Sequence, residues 1–260
     1  MKFLFKLSAL LGFLLPSTLP AHQWVKTYST APFIGPEIYY VKRLKEGGAE
    51  QTGTLYGVRV GYDHVRRYKL YWGLDVLWAT GTLEGGVRDE KLKSQFTDIN
   101  PEARVGYTFQ SKYWRCASFT PYVGLGYFWE KNNYKDPSPL SIHFTNQFSY
   151  VPVGFLSQVF ILPNLSVGVN FKVRLILEGK LYVSHDPQHD DSTQNYDEKP
   201  QYRVEVPTTY FFCWKNHPLG VSLVPFFEYR HYGHRANFPF DFLDTKLKLY
   251  GATLKLLYLF

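Results

Sequence analysis

The chain has 260 residues, 29 Lys and Arg against 22 Asp and Glu, and a formal net charge of +7. It has no Lys/Arg run and no basic helix, so nothing points to nucleic acid as a partner. Two cysteines are too few for a disulfide scaffold, and no segment reaches the roughly 20 apolar residues of a transmembrane helix. Aromatic residues supply 18% of the chain, with 21 Tyr, 21 Phe and six Trp, a richness that suits pleated surfaces and membrane–water interfaces.

At the N-terminus, Lys2 and Lys6 precede an apolar run from Leu7 to Leu15, which Pro16, Ser17, Pro20 and Ala21 then break. That order predicts a secretory signal peptide over 1–21, cut after Ala21. Its removal leaves 239 residues and a net charge of +5. Residues 22–34 are expected to form a periplasmic N-terminal segment, and 35–260 a single transmembrane β-barrel.

From there the dominant signal is period-two alternation, the mark of strands. Tyr56, Val58, Val60 and Tyr62 alternate with Gly57, Arg59, Gly61 and Asp63. Leu70, Trp72, Leu74, Val76 and Trp78 share one face of the next segment. The whole chain gives ten candidate strands near 36–44, 52–64, 69–81, 95–110, 116–130, 142–160, 165–181, 200–213, 218–231 and 246–260. Short turns fall near 66–68, 110–112, 162–164 and 215–217. Longer links near 45–51, 82–94, 131–141, 182–199 and 232–245 interleave with them. The fold class is therefore all-β, an antiparallel up-and-down barrel of about ten strands, with eight or twelve as alternatives.

A soluble sandwich would hide its apolar face and wet its polar one. Here the apolar stripes are long enough to cross a bilayer, for which about 9–11 residues suffice. The opposite face carries Arg59, Asp63, Asp75, Glu102, Arg104, Glu130, Lys172, Arg174, Glu178, Arg203, Glu205, Glu228 and Arg230, with Lys248 and Lys255 added. These residues are expected to form a polar network in the lumen. Trp72, Trp78, Tyr127, Trp129, Tyr210, Tyr258 and Phe260 gather at strand ends as aromatic girdles would.

The last strand runs Leu247 to Phe260, with Tyr250, Ala252, Leu254, Leu256 and Tyr258 on one face. It resembles the C-terminal signal of bacterial outer-membrane barrels, although a glycine commonly sits nearer the end than Gly251 does. The pattern over nearly all of the mature chain is similar to the OmpA-like and opacity-type barrels of Gram-negative outer membranes. That resemblance implies an outer-membrane location and a role for Tyr258 and Phe260 in insertion by the barrel-assembly machinery. It implies outer-membrane lipid and lipopolysaccharide as surroundings.

The residues say less about activity. With Tyr71, Tyr122, Phe128, Phe211, Phe226 and Leu257 inward, ten strands enclose a tight or blocked lumen rather than a wide pore. The stretch His185-Asp186-Pro187-Gln188-His189-Asp190-Asp191 has the residue types of a metal site, yet reads equally as a solvated loop. No metal and no cofactor is assigned. Omptin-type proteases are also ten-stranded, with acidic pairs facing an Asp-His pair. Their Asp-x-His arrangement is absent, although Glu228, Arg230, His231 and His234 cluster near one rim. Cys116 and Cys213 sit three strands apart, roughly 14 Å along a wall, whereas a bridge needs Cα atoms within about 7 Å, so pairing them would require a flattened barrel. Trp114 and Trp214 beside them fit the inner girdle. The leading expectation is a structural or surface-interaction barrel that displays loops, with Tyr134 and Tyr196 exposed, to lipopolysaccharide, a host or another surface ligand. A narrow small-solute or ion channel and an omptin-like surface hydrolase are the alternatives.

Overall fold

In the computed structural model the described residues are 30–110, 117–139, 141–187, 189–195, 199–234 and 243–260. The signal-peptide stretch, Trp114, Cys116 and Tyr196 lie outside them. The strands in chain order are β1 (Thr30–Lys45), β2 (Glu50–His64), β3 (Leu70–Val87), β4 (Glu90–Tyr107), β5 (Phe109–Gln110), β6 (Ala117–Lys135) and β7 (His143–Leu162). They continue with β8 (Leu165–Val167), β9 (Asn170–Ser184), β10 (Ser192–Asn195), β11 (Gln201–Glu205), β12 (Thr208–Trp214), β13 (His217–Tyr232) and β14 (Thr245–Tyr258).

All pairings are antiparallel between neighbours, and β14 pairs with β1, closing the ring. Ten staves result, because β5 extends β4, β8 and β9 share a stave, and β11 and β12 share another. Three staves expected to be continuous are interrupted, 95–110 at Thr108 and the adjacent pair 165–181 and 200–213 by two residues each. Pro207 has no N–H to give the ladder, and its carbonyl instead accepts from Gly168 N at 2.9 Å, joining the two breaks. β10 lies off the ring as a short hairpin on β9.

Several boundaries differ from the sequence reading. β1 begins at Thr30, so residues 30–34, expected to precede the barrel, belong to its wall. The expected link over 82–94 is strand, with β3 and β4 paired as far as Val87 and Glu90. Arg88 makes the tight turn at φ 52°. Polar residues there suggested a loop, but Leu83 and Leu92 alternate inward and are buried. A strand of 18 residues at the usual tilt rises on the order of 45 Å, beyond a hydrocarbon core of about 30 Å. The sheet therefore projects past a bilayer at the loop end, opposite the terminal end that carries Thr30 and Phe260. β6 also outruns its expected end, which puts Tyr134 on the inward parity. It is 5% exposed and donates to Gln51 Oε1 at 3.4 Å, rather than standing free in a loop.

The barrel is inverted relative to a soluble protein. Ile34, Val58, Leu74, Val105, Leu125 and Leu254 point out from the wall with exposures of 41–66%. Trp72, Trp78, Tyr127 and Tyr258 join them at 41–50%. Apolar surface on this scale far exceeds the patches a soluble monomer tolerates, and a bilayer is the environment that covers it.

Candidate functional site

Among the described residues, most charged side chains that are buried converge in the lumen. Alternation delivers them: each strand sends every second residue inward, and polar residues occupy those positions on β1, β2, β3, β4, β6, β9, β11 and β13. Arg59 on β2 donates from Nε and Nη2 to Glu37 on β1, at 2.5 and 3.0 Å, and from Nη1 to Asp75 on β3 at 2.6 Å. Thr253 Oγ1 adds a bond to Glu37 at 2.7 Å across the β14–β1 closure. Lys172 on β9 reaches both oxygens of Glu102 at 2.8 and 2.9 Å. Arg104 meets Asp63 at 3.3 Å.

A second knot surrounds Glu228. It accepts from Arg174 at 2.6 and 3.3 Å, from Arg203 at 2.8 Å and from Arg230 at 2.6 Å. Arg203 also donates to Glu205 at 2.7 Å. Arg230 continues across the bore to Glu130 at 3.2 Å and to Asp98 at 2.7 Å. Its guanidinium lies 4.0 Å from the Phe128 ring centroid, and that of Arg203 lies 3.7 Å from Phe226. Planar guanidinium groups suit both contacts, forked to carboxylates and flat on aromatic faces.

Tyrosines finish the knot. Tyr39 donates to Asp98 at 2.8 Å, Tyr232 to Glu130 at 2.7 Å and Tyr150 to Glu102 at 2.9 Å. Tyr150 has its place because Gly126 faces it: a Cβ there would lie 2.2 Å from the ring. Fully buried Arg174, Arg230, Tyr39, Tyr150, Phe128 and Phe148 leave the middle of the bore filled. An ion pair in such a place need not stabilise a fold, but removing one member strands the other in low dielectric.

Glu178 is the residue of the expected network that does not join it. Ser149 pairs with Glu178 but Tyr150 with Ile176, so Leu177 is an extra residue in β9. This bulge inverts the alternation beyond it. Gly179, Leu181 and Val183 become inward, and Glu178 turns outward to pair with Lys180 at 2.8 Å, its side chain 59% exposed. Lys248 is exposed too, since β14 sends Leu247 and Leu249 inward. The sequence reading missed Glu37, Asp98, Tyr39, Tyr150 and Tyr232. Glu37 carried a usable signal, an acid between the outward apolar residues Pro36 and Ile38, whereas Asp98 sits between Thr97 and Ile99.

At the loop end the rim residues fall into separate groups. Glu228 and Arg230 face the lumen, whereas His231 faces outward and meets Asp244 at 2.6 Å, with Lys246 3.3 Å from the same carboxylate. Burial pushes the Asp244 carboxyl up, but the bonds from His231 and Lys246 outweigh it and hold it below the ordinary range. His185 packs against His143 with ring centroids 4.2 Å apart and planes tilted by 35°. His234 lies 3.4 Å from Glu46, and His189 the same distance from Asp186. Among the described residues no three metal-ligating side chains converge. Cys213 is free and exposed, and Trp214 beside it is 61% exposed.

No protein-family model and no curated protein matches the sequence. Solved structures do. The outer-membrane protease OmpT from Escherichia coli superposes with a TM-score of 0.57 at 11% identity, covering 90% of this chain and 97% of that one. The translocator domain of the autotransporter NalP from Neisseria meningitidis aligns at 0.48 and 8%, over 88% of each chain. The transport unit of the autotransporter AIDA-I from Escherichia coli aligns at 0.46 and 9%, over 95% and 93%. At these identities the likeness concerns the fold. A closed antiparallel ring, apolar outside and charged within, is the architecture of bacterial outer-membrane β-barrel proteins. This chain shares that fold, as a ten-stave barrel whose bore is filled at its middle by its own side chains.

Proposed function

We propose that the protein resides in a bacterial outer membrane, exported by its N-terminal signal peptide, and serves there as a structural or surface-interaction barrel. One observation carries this reading. An apolar outer wall surrounds a bore closed by the Glu228–Arg230–Asp98 knot, which leaves the loop end and the outer wall to meet other molecules. Tyr258 and Phe260 lie on the outward face of the last strand, 42% and 52% exposed, where the barrel-assembly machinery can reach them. On the outward face near the loop end, Lys42 sits directly opposite Lys248, one pair along from Tyr40 opposite Tyr250. Lys42 is already paired with Glu50 at 2.7 Å, which leaves Lys248, above a tyrosine belt, to suit the anionic phosphates of outer-leaflet lipid or lipopolysaccharide.

The test is electrical. Purified protein, first shown to migrate faster unboiled than boiled, is added to a planar bilayer. A sealed barrel gives no discrete conductance steps, and reproducible steps favour the narrow channel instead. The His231–Asp244 pair supports a second reading, a surface hydrolase of omptin-like fold. That reading requires a hydrolytic activity lost in His231→Ala, whereas surface binding survives that change.

A further inference from the structure

Below the sealed middle, in the half of the lumen nearer the terminal end, the side chains leave a cavity of about 70 Å³. That volume holds a few waters or one small anion. Arg59, Arg104, Lys172, Arg203 and Lys255 line it, against three carboxylates, Asp63, Asp75 and Glu205.

The carboxylates already have donors. Asp63 accepts from Tyr71 at 2.7 Å and from Arg104. Asp75 accepts from Arg59 at 2.6 Å. Glu205 accepts from Arg203 at 2.7 Å and from Asn170 at 3.3 Å. Three more acids, Glu37, Glu102 and Glu228, hold Arg59, Lys172 and Arg203 from behind the wall. What remains unused is donor capacity. Among the described residues, Arg104 Nε, 3.7 Å from Glu102 Oε1 and beyond hydrogen-bond reach of it, and Arg203 Nη2 are buried without a hydrogen-bond partner. Lys255 forms no ion pair among the described residues, and its Nζ rests 4.1 Å from the Phe33 ring centroid. Buried donors left unmade are costly, and a group that supplies oxygen acceptors and negative charge would satisfy them together.

We infer that this cavity is a binding site for a small oxyanion of phosphate size, held by Lys255 with Arg104 and Arg203. Such a ligand would enter from the terminal end, since the knot around Arg230 closes the other direction.

Inorganic phosphate titrated against the full chain in maltoside micelles, followed by the ³¹P line width, tests the assignment. The wild type is expected to broaden the line saturably, and Lys255→Arg to keep that behaviour. Lys255→Gln weakens apparent affinity at least tenfold, while Lys91→Gln, which removes an exposed lysine at the β3–β4 turn, leaves it unchanged. Unboiled gel mobility confirms that each variant is folded. Should Lys255→Gln fail that check, Arg203→Lys keeps the charge, removes the free guanidinium N–H and weakens binding likewise. No saturable broadening with the wild type overturns the inference, as does equal affinity in the folded Lys255→Gln or Arg203→Lys protein.

Discussion

Arg230 and Asp98 meet across the bore, Nη2 to Oδ2 at 2.7 Å, although 132 positions separate them in the chain. The same guanidinium holds Glu130 and Glu228, so one side chain satisfies three acids on three strands. Arg230→Ala leaves Asp98 and Glu130 without their guanidinium partner in a buried site, while Glu228 keeps Arg174 and Arg203. The expected cost is about 3–5 kcal/mol, read as an earlier urea midpoint, together with conductance steps absent from the wild type. An unchanged midpoint would mean that the knot relaxes without Arg230.

Gly126 and Tyr150 form a hole and its filling. Tyr150 is pinned by bonds from Asn100 at 2.6 Å and to Glu102 at 2.9 Å, so it cannot swing away from a new methyl group. Gly126→Ala is expected to cost about 1–3 kcal/mol through overpacking. Adding Tyr150→Leu relieves the clash but forfeits those bonds, so the double variant recovers only part of the loss. Full additivity of the two changes in urea unfolding would refute the contact.

The loop-end pair of Asp244 and His231 makes local order depend on pH. The Asp244 carboxyl titrates lower in the folded protein than its ordinary value of 3.8. Its stabilising contribution is therefore fully present above about that value and is lost as pH falls through the lower, folded one. Glu46 N donates to Asp244 O at 2.8 Å and reports on the same corner. Hydrogen exchange at that amide, corrected for intrinsic rate, should accelerate as pH drops from 5 to 2 in the wild type. In Asp244→Asn the corrected rate is already raised and stays flat over that range.

The end of β14 bears on assembly more than on stability. Phe260 packs loosely, with its ring centroid 6.1 Å from Tyr258 and 6.3 Å from Tyr62. Phe260→Ala is expected to lower the assembled fraction in cells severalfold while moving the urea midpoint of the assembled barrel by less than about 1 kcal/mol. A large change in stability with normal assembly would assign the residue to packing instead.

Strand number and direction could be read from alternation because lipid and lumen impose opposite chemistries on the two faces of each strand. The same rule failed at Glu178, where the bulge at Leu177 shifts the parity by one. No local signal announces an extra residue whose partner strand lies some 27 positions away. Polarity misled at 82–94 and at Tyr134, because strands that project beyond the bilayer are free to carry polar residues outside. The lumen's membership was largely legible, yet its pairing was not. Which guanidinium meets which carboxylate depends on stagger around the ring, as Glu228 shows by collecting arginines from β9, β11 and β13.

The bond from Thr253 to Glu37 spans 216 positions and exists only when the last strand meets the first. Until that seam forms, the Arg59–Glu37–Asp75 cluster lies along an open edge, with charges facing what would be hydrocarbon. A half-built sheet is thus a poor membrane solute, and a finished ring a good one. Insertion and cyclisation are then thermodynamically a single event, and an intermediate left flat in the bilayer would be expelled rather than wait for its final stave.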